Sequence, residues 1–145
     1  MREILFRGKW IANGNWLFGG FHSRFGRAFI IGCSKALRFE GAEVIPESIG
    51  QFTGLTDKTG KKVFEGDILK FTDAKYEYEW IGRVEFGNPN EEYNWGFQLV
   101  YIKGEKPNTD ILCWFDMEEV GAFAEVIGNI HDNPELLEGG AEDGK

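Results

Sequence analysis

The sequence is poor in cysteine, histidine and proline, and each scarcity closes off a class of function. Cys33 and Cys113 are the only cysteines, far apart and outside any C-x-x-C pattern, so neither a disulfide framework nor a cysteine-built metal site is written here. Reduced, buried thiols are the expectation. His22 and His131 are the only histidines, and no serine stands in a G-x-S-x-G turn. His131 lies beside Asp132, a fragment of many catalytic sites, but any nucleophile would have to be brought to it by folding alone. A structural histidine near a helix start is the expected reading, and the chain is not expected to be an enzyme, to hold a metal or to need a cofactor. No apolar run approaches the ~18 residues of a membrane helix, and the N-terminal stretch lacks the apolar core of a signal peptide. A soluble, cytoplasmic protein without membrane partners is therefore expected.

What is abundant points to a β-rich domain. Twenty glycines stand against four prolines, and 15% of the 145 residues are aromatic, so turns and close backbone approaches should be many and a real core can form without staples. The formal charge of -8 argues against a polyanion binder overall, yet it is unevenly spread. Residues 1–39 carry seven basic residues against Glu3 alone, a net of +6, and residues 40–145 carry nine basic against 23 acidic, a net of -14. Pairing between the two parts, within or between subunits, is favoured over a nucleic-acid docking surface.

The densest structural instructions run from Gln51 to Leu69. Phe52 and Leu55 lead into Asp57-Lys58-Thr59-Gly60, where Asp favours the turn and Gly supplies the positive φ of a hairpin with a bulge. Val63 and Phe64 resume the strand, Gly66-Asp67 breaks it, and Ile68 to Phe71 begins the next. Gly54 to Lys62 resembles a phosphate loop in part, but five residues rather than four separate its glycines, and Lys62 stands where Ser or Thr should ligand Mg²⁺. Glu65 and Asp67 could share a face as a carboxylate pair; the favoured reading is a polar corner whose Asp caps backbone N–H groups. Gly54, Asp57, Gly60, Gly66 and Asp67 are thus expected to be structural.

Elsewhere, alternation predicts a first strand at Arg2–Arg7, a hairpin turning at Asn13-Gly14 between Trp10-Ile11 and Trp16–Phe18, and an end or bulge of the return strand at Gly19-Gly20. Further strands are expected at 28–31, 80–86, 95–102, 111–115 and 124–130, with Trp95, Phe97, Leu99 and Tyr101 on one face. Pro46 excludes a helix interior at 44–50, residues 72–79 read as a loop, and Asn133-Pro134 reads as a helix start. The fold class expected is mainly β, with mixed or antiparallel sheet: an N-terminal β subdomain over 1–49, a small Src-homology-3-like (SH3-like) barrel over 50–137, a short C-terminal helical turn, and a disordered acidic tail over 138–145.

Three blocks carry a resemblance. Phe6-Arg7-Gly8-Lys9 with Asn13-Gly14, Trp16 and Gly19 is the first; Val44 to Asp67, containing Ile49-Gly50-Gln51-Phe52-Thr53-Gly54-Leu55, is the second; Val126 to Leu137 is the third. On these the chain resembles the YopX family of small proteins encoded mainly by bacteriophages and prophages. The resemblance implies a mostly β protein with an SH3-like C-terminal part, a bacterial cytoplasmic setting and self-association. It implies no catalytic residue and no ligand.

The N-terminal third holds the candidate binding residues. Arg7, Lys9, Arg24, Arg27 and Arg38 are interleaved with Trp10, Trp16, Phe21, Phe25 and Phe29, a mixture able to neutralise phosphates and stack bases. Aromatics at strand spacing are more often core. A protein-interaction or oligomerisation role, with itself or with a phage or host protein, is therefore expected, with nucleic-acid binding as the alternative.

Overall fold

The computed structural model describes residues 3–32, 41–73, 78–91, 95–105 and 122–138. Among them the protein is mainly β, with helix confined to two 3₁₀ turns, Pro46–Ser48 and Pro134–Glu138. The strands are β1 (Phe6–Lys9), β2 (Trp16–Arg24), β3 (Arg27–Ile31), β4 (Ala42–Val44), β5 (Gly50–Thr56), β6 (Lys62–Phe64), β7 (Asp67–Asp73), β8 (Tyr78–Gly87), β9 (Gly96–Gly104) and β10 (Ala122–Asn129). They form two antiparallel sheets, ordered β4-β3-β2-β1-β5-β6 and β10-β7-β8-β9. The chain divides within β5 into two compact units, Met1–Gly54 and Leu55–Lys145. No helix among the described residues is long and apolar enough to cross a membrane.

In the N-terminal unit, β1 starts only at Phe6, later than alternation alone suggests, although the Leu5 carbonyl already accepts a hydrogen bond from Phe52 N–H at 2.7 Å. The Asn13-Gly14 turn joins β1 to β2 as expected, but as a longer connection than a two-residue loop. Gly14 N–H donates to Trp10 O at 2.7 Å and Trp10 N–H to Asn15 O at 2.9 Å. The reason is a competing partner: Trp10 bridges Val44, and Ile45 N–H donates to Lys9 O at 2.8 Å, so the chain leaving β1 lies along the outer edge of β4.

Strand β2 does not end at Gly19-Gly20. It runs on to Arg24, pairing with β1 through Gly19 and with β3 from Gly20. Gly19 permits this, since a Cβ there would stand 2.1 Å from the Ile31 carbonyl oxygen. Ala28, Ile30 and Val44 form the core of this unit, with Phe6, Leu17 and Ile49 packed against them. Pro46 starts the 3₁₀ turn, where its fixed φ fits. The Ser48 hydroxyl ties that turn down, accepting from Lys9 N–H at 2.8 Å and donating to Ile45 O at 2.6 Å.

The C-terminal unit is organised by the turn after β5. Asp57 N–H donates to Lys61 O at 2.8 Å and Gly60 N–H to Asp57 O at 2.9 Å, with Gly60 at φ 90, the bulged hairpin its residues specify. One Asp57 carboxylate oxygen accepts from Thr59 N–H, the Thr59 hydroxyl and Lys61 N–H, and the other from Val126 N–H at 2.9 Å. Lys58 N–H adds a bond to Ala124 O at 3.0 Å, so the turn is fastened to β10. Asp67, fully buried, accepts from Phe64 N–H at 2.7 Å, which makes Glu65-Gly66-Asp67 the polar corner rather than a carboxylate pair. Gly54 and Gly66 also take positive φ, 91 and 92.

Val63, Leu69, Phe71, Trp80, Val84, Leu99 and Ala124 make the core of this unit, with the Phe71 and Trp80 rings stacked at 4.2 Å. Strand β7 runs to Asp73 and β8 starts at Tyr78, so the two ends of the loop expected over 72–79 are strand, while residues 74–77 lie outside the described residues. A register shift at Ile81/Gly82 pairs Gly82 with Tyr101 and Ile81 with Lys103. It breaks the expected alternation of β9: Ile102 is buried and Tyr101 exposed, while Trp95 precedes the strand. At the C-terminal end, Asn129 Oδ1 accepts from His131 and Asp132 N–H groups, each at 2.9 Å, and Asn133 leads into the 3₁₀ turn that extends to Glu138. The strand expected at 111–115, both cysteines, Arg38 and residues 139–145 lie outside the described residues.

Candidate interaction surface

The basic and aromatic candidates of the N-terminal unit separate into two groups. Register sets Lys9 opposite Trp16, with Arg7 two residues along the same face of β1. The Arg7 guanidinium lies 4.5 Å and the Lys9 ammonium 5.4 Å from the Trp16 ring centroid. Arg7 is only 6% exposed, held against Trp16 rather than presented at the surface of this chain. Trp10 is drawn off to its bridge with Val44.

The second group sits at the far end of β2, eight residues or about 26 Å of extended chain from Trp16. Arg24 and Arg27 face each other across β2 and β3, and Phe25-Gly26 is the two-residue loop between them. Both loop residues are left-handed, φ 50 and 77, the geometry of the type I′ turn whose twist suits a tight hairpin. Glycine adopts this backbone freely; phenylalanine does so at a cost of about 1–2 kcal/mol. Phe25 is nevertheless 88% exposed, so no burial in this chain offsets that cost. The Arg24 guanidinium lies 5.1 Å from its ring centroid, and Arg27 Nε holds Glu43 at 3.1 Å.

Behind this tip the hairpin is apolar on both faces. Phe18 and Ile31 are exposed on the face away from the core, and Phe21, cross-strand from buried Ile30, is exposed on the other with its ring 5.5 Å from that of Phe6. His22 lies beside Phe29, centroids 6.1 Å apart. Phe25 had a readable signal as a tip, a Gly following it between two extended arginine-flanked segments, but Phe is not a residue that turn chemistry leads one to expect there.

The C-terminal unit carries a second exposed aromatic group, which the alternation pattern assigned to a strand face. Phe86 and Phe97 pair across β8 and β9 in an edge-to-face contact at 5.1 Å, where the core face formed by Val84 and Leu99 runs out. Phe86 is 55% and Trp95 78% exposed. The start of the connection after β8 is tied to β9: Gln98 donates to Asn88 Oδ1 at 3.0 Å, and Asn90 Nδ2 donates to Leu99 O at 2.9 Å. Glu91 stands exposed there at φ 56. His131 and Asp132 are consecutive residues of the Asn129 turn, where Asn129 Nδ2 donates to Asp132 at 3.0 Å. Among the described residues, no three of His, Cys, Asp and Glu gather as a metal site.

Comparison with known proteins gives one family. The family model described as YopX protein matches residues 26–138. No curated protein matches the chain. Among solved structures, the crystal structure of protein EF1440 from Enterococcus faecalis is similar, 24% identical, covering 95% of this chain and 100% of that one with a TM-score of 0.49.

Proposed function

Because the chain belongs to the YopX family, whose model spans most of it, we propose that it is a phage or prophage accessory protein working in the bacterial cytoplasm by self-association rather than by catalysis. The observation that carries this reading is the β2–β3 hairpin, with Phe25 held exposed on strained backbone and Phe18, Phe21 and Ile31 exposed behind it. An aromatic tip followed by apolar surface on both faces suits burial against another protein surface. In this reading the C-terminal unit is the SH3-like barrel, with Val63 of β6 joining the core formed by β7 to β10.

Nucleic-acid binding is the second reading, favoured by the guanidinium and phenyl ring together at the tip. It ranks lower because, among the described residues, Arg7 is buried, Arg27 is engaged by Glu43, and Lys9, opposite Trp16, stands about 26 Å of extended strand from Arg24. Light-scattering mass in line with size exclusion, with and without mixed DNA and RNA oligonucleotides, tests the ranking. A mass above that of one 16.5 kDa chain, kept at high salt and indifferent to oligonucleotides, is expected. A single-chain mass, or oligonucleotide bound at low salt and released at high salt, would overturn it.

A further inference from the structure

We propose that the assembly is head-to-tail: the Arg24-Phe25-Gly26-Arg27 tip of one copy docks on the Phe86, Trp95 and Glu91 surface of a second copy's C-terminal unit. This rests on the self-association reading and adds the acceptor and the polarity. Charge is what selects the occupant. Residues 1–54 carry seven basic against four acidic residues, and residues 55–145 nine basic against 20 acidic, so the hairpin belongs to the positive unit and the acceptor to the negative one. Packing two tips on each other would set Arg24, whose charge no carboxylate in the hairpin offsets as Glu43 offsets that of Arg27, against its own counterpart, and like charges facing one another across an interface are strongly disfavoured. Packing the hairpin on the opposite unit sets arginines against carboxylates instead.

The contacting groups match in kind as well as in charge. The tip offers a phenyl ring and a guanidinium that already lies over an aromatic face. The acceptor offers the exposed indole of Trp95, the best of the aromatic faces for a guanidinium, and the exposed Phe86 ring, the two preceding the paired Gly96 and Gly87, with an exposed carboxylate at Glu91 on the segment that follows β8. The type I′ loop fixes the tip before it docks, and the Phe86–Phe97 pair holds the Phe86 ring of the acceptor, which lowers the entropy lost on docking. The aromatic contact resists salt, and the charges set orientation and rate. Because donor and acceptor are different patches, each copy keeps one of each unused, and growth continues until a ring closes.

Complementation tests the polarity. Phe25→Asn removes the ring while keeping a residue suited to positive φ, and Trp95→Ser removes the acceptor at an exposed position. Each variant alone is expected to run at the mass of one chain, and an equimolar mixture at the mass of two and no more, since only one intact tip meets one intact acceptor. Should Trp95→Ser melt early, Glu91→Arg replaces it, with association at low salt expected to weaken about tenfold. Assembly of Trp95→Ser like the wild type, an unchanged Glu91→Arg, or a mixture that stays single-chain would overturn the head-to-tail contact while leaving self-association through the hairpin standing. A wild-type chain that never exceeds one-chain mass would instead sink the self-association reading itself.

Discussion

Phe25 holds backbone that Asn or Gly would hold at lower cost, and its ring contacts solvent and Arg24. Phe25→Asn is therefore expected to stabilise the isolated chain by about 1 kcal/mol, a rise of about 3 °C in melting temperature, while abolishing association. Thermal melts at a concentration where the wild type is dissociated check the first half. Asp57 is the opposite case, a residue whose value lies in its partners. Burial pushes its carboxyl up, but hydrogen bonds from Val126 N–H, the Thr59 hydroxyl, and the Lys61 and Thr59 N–H groups outweigh burial and hold it below the usual carboxylate range. A lowered folded value means stability that is fully present above about pH 4 and is lost as pH falls through that value. Asp57→Asn should cost about 2–3 kcal/mol at neutral pH, and the gap to the wild type should shrink on acidification below pH ~4 in urea titrations. A gap independent of pH would show that the charge is not what the turn uses.

At the scale of elements, the long β2 strand is what makes the hairpin project, and Gly19 is the residue that lets it pass β3. Gly19→Ala meets backbone rather than a flexible side chain and is expected to cost about 2–3 kcal/mol, with loss of association. Gly20→Ala, whose nearest obstacle is 3.9 Å away, should be neutral. Equal effects of the two in chemical denaturation would remove close approach as the explanation. The sequence could not separate these glycines. Two in succession read as a strand end, because nothing local says that Ile31 will arrive beside the first of them. The Asp57 turn, by contrast, was legible throughout, since Asp, Thr and Gly each perform a local job there. The ties that fasten it to β10, from Asp57 to Val126, 69 residues away, and from Lys58 to Ala124, were not. The shift at Ile81/Gly82 was equally hidden: alternation assumes an unbroken ladder, and one extra residue in β9 turned Tyr101 out and Ile102 in.

For the molecule as a whole, the β class and most strands followed from period-two patterning and turn residues. The family followed from blocks that run nearly the length of the chain, and the YopX match over residues 26–138 bears it out. The candidate surface was only half legible. The basic, aromatic N-terminal third was visible as a mixture, but composition could not tell the buried Arg7 from the presented Arg24, because burial depends on which strand register sets Trp16 over which cation. It also could not show that Phe25, Phe86 and Trp95, the most exposed aromatics among the described residues, sit at the ends of strands. If those ends are the interface, one comparison decides it: light-scattering mass of the wild type and Phe25→Asn across the same concentrations at high salt. The expected result is a wild type heavier than one 16.5 kDa chain and a Phe25→Asn variant that stays at one chain with its fold intact. Equal masses for the two at every concentration would contradict a hairpin built to bind protein.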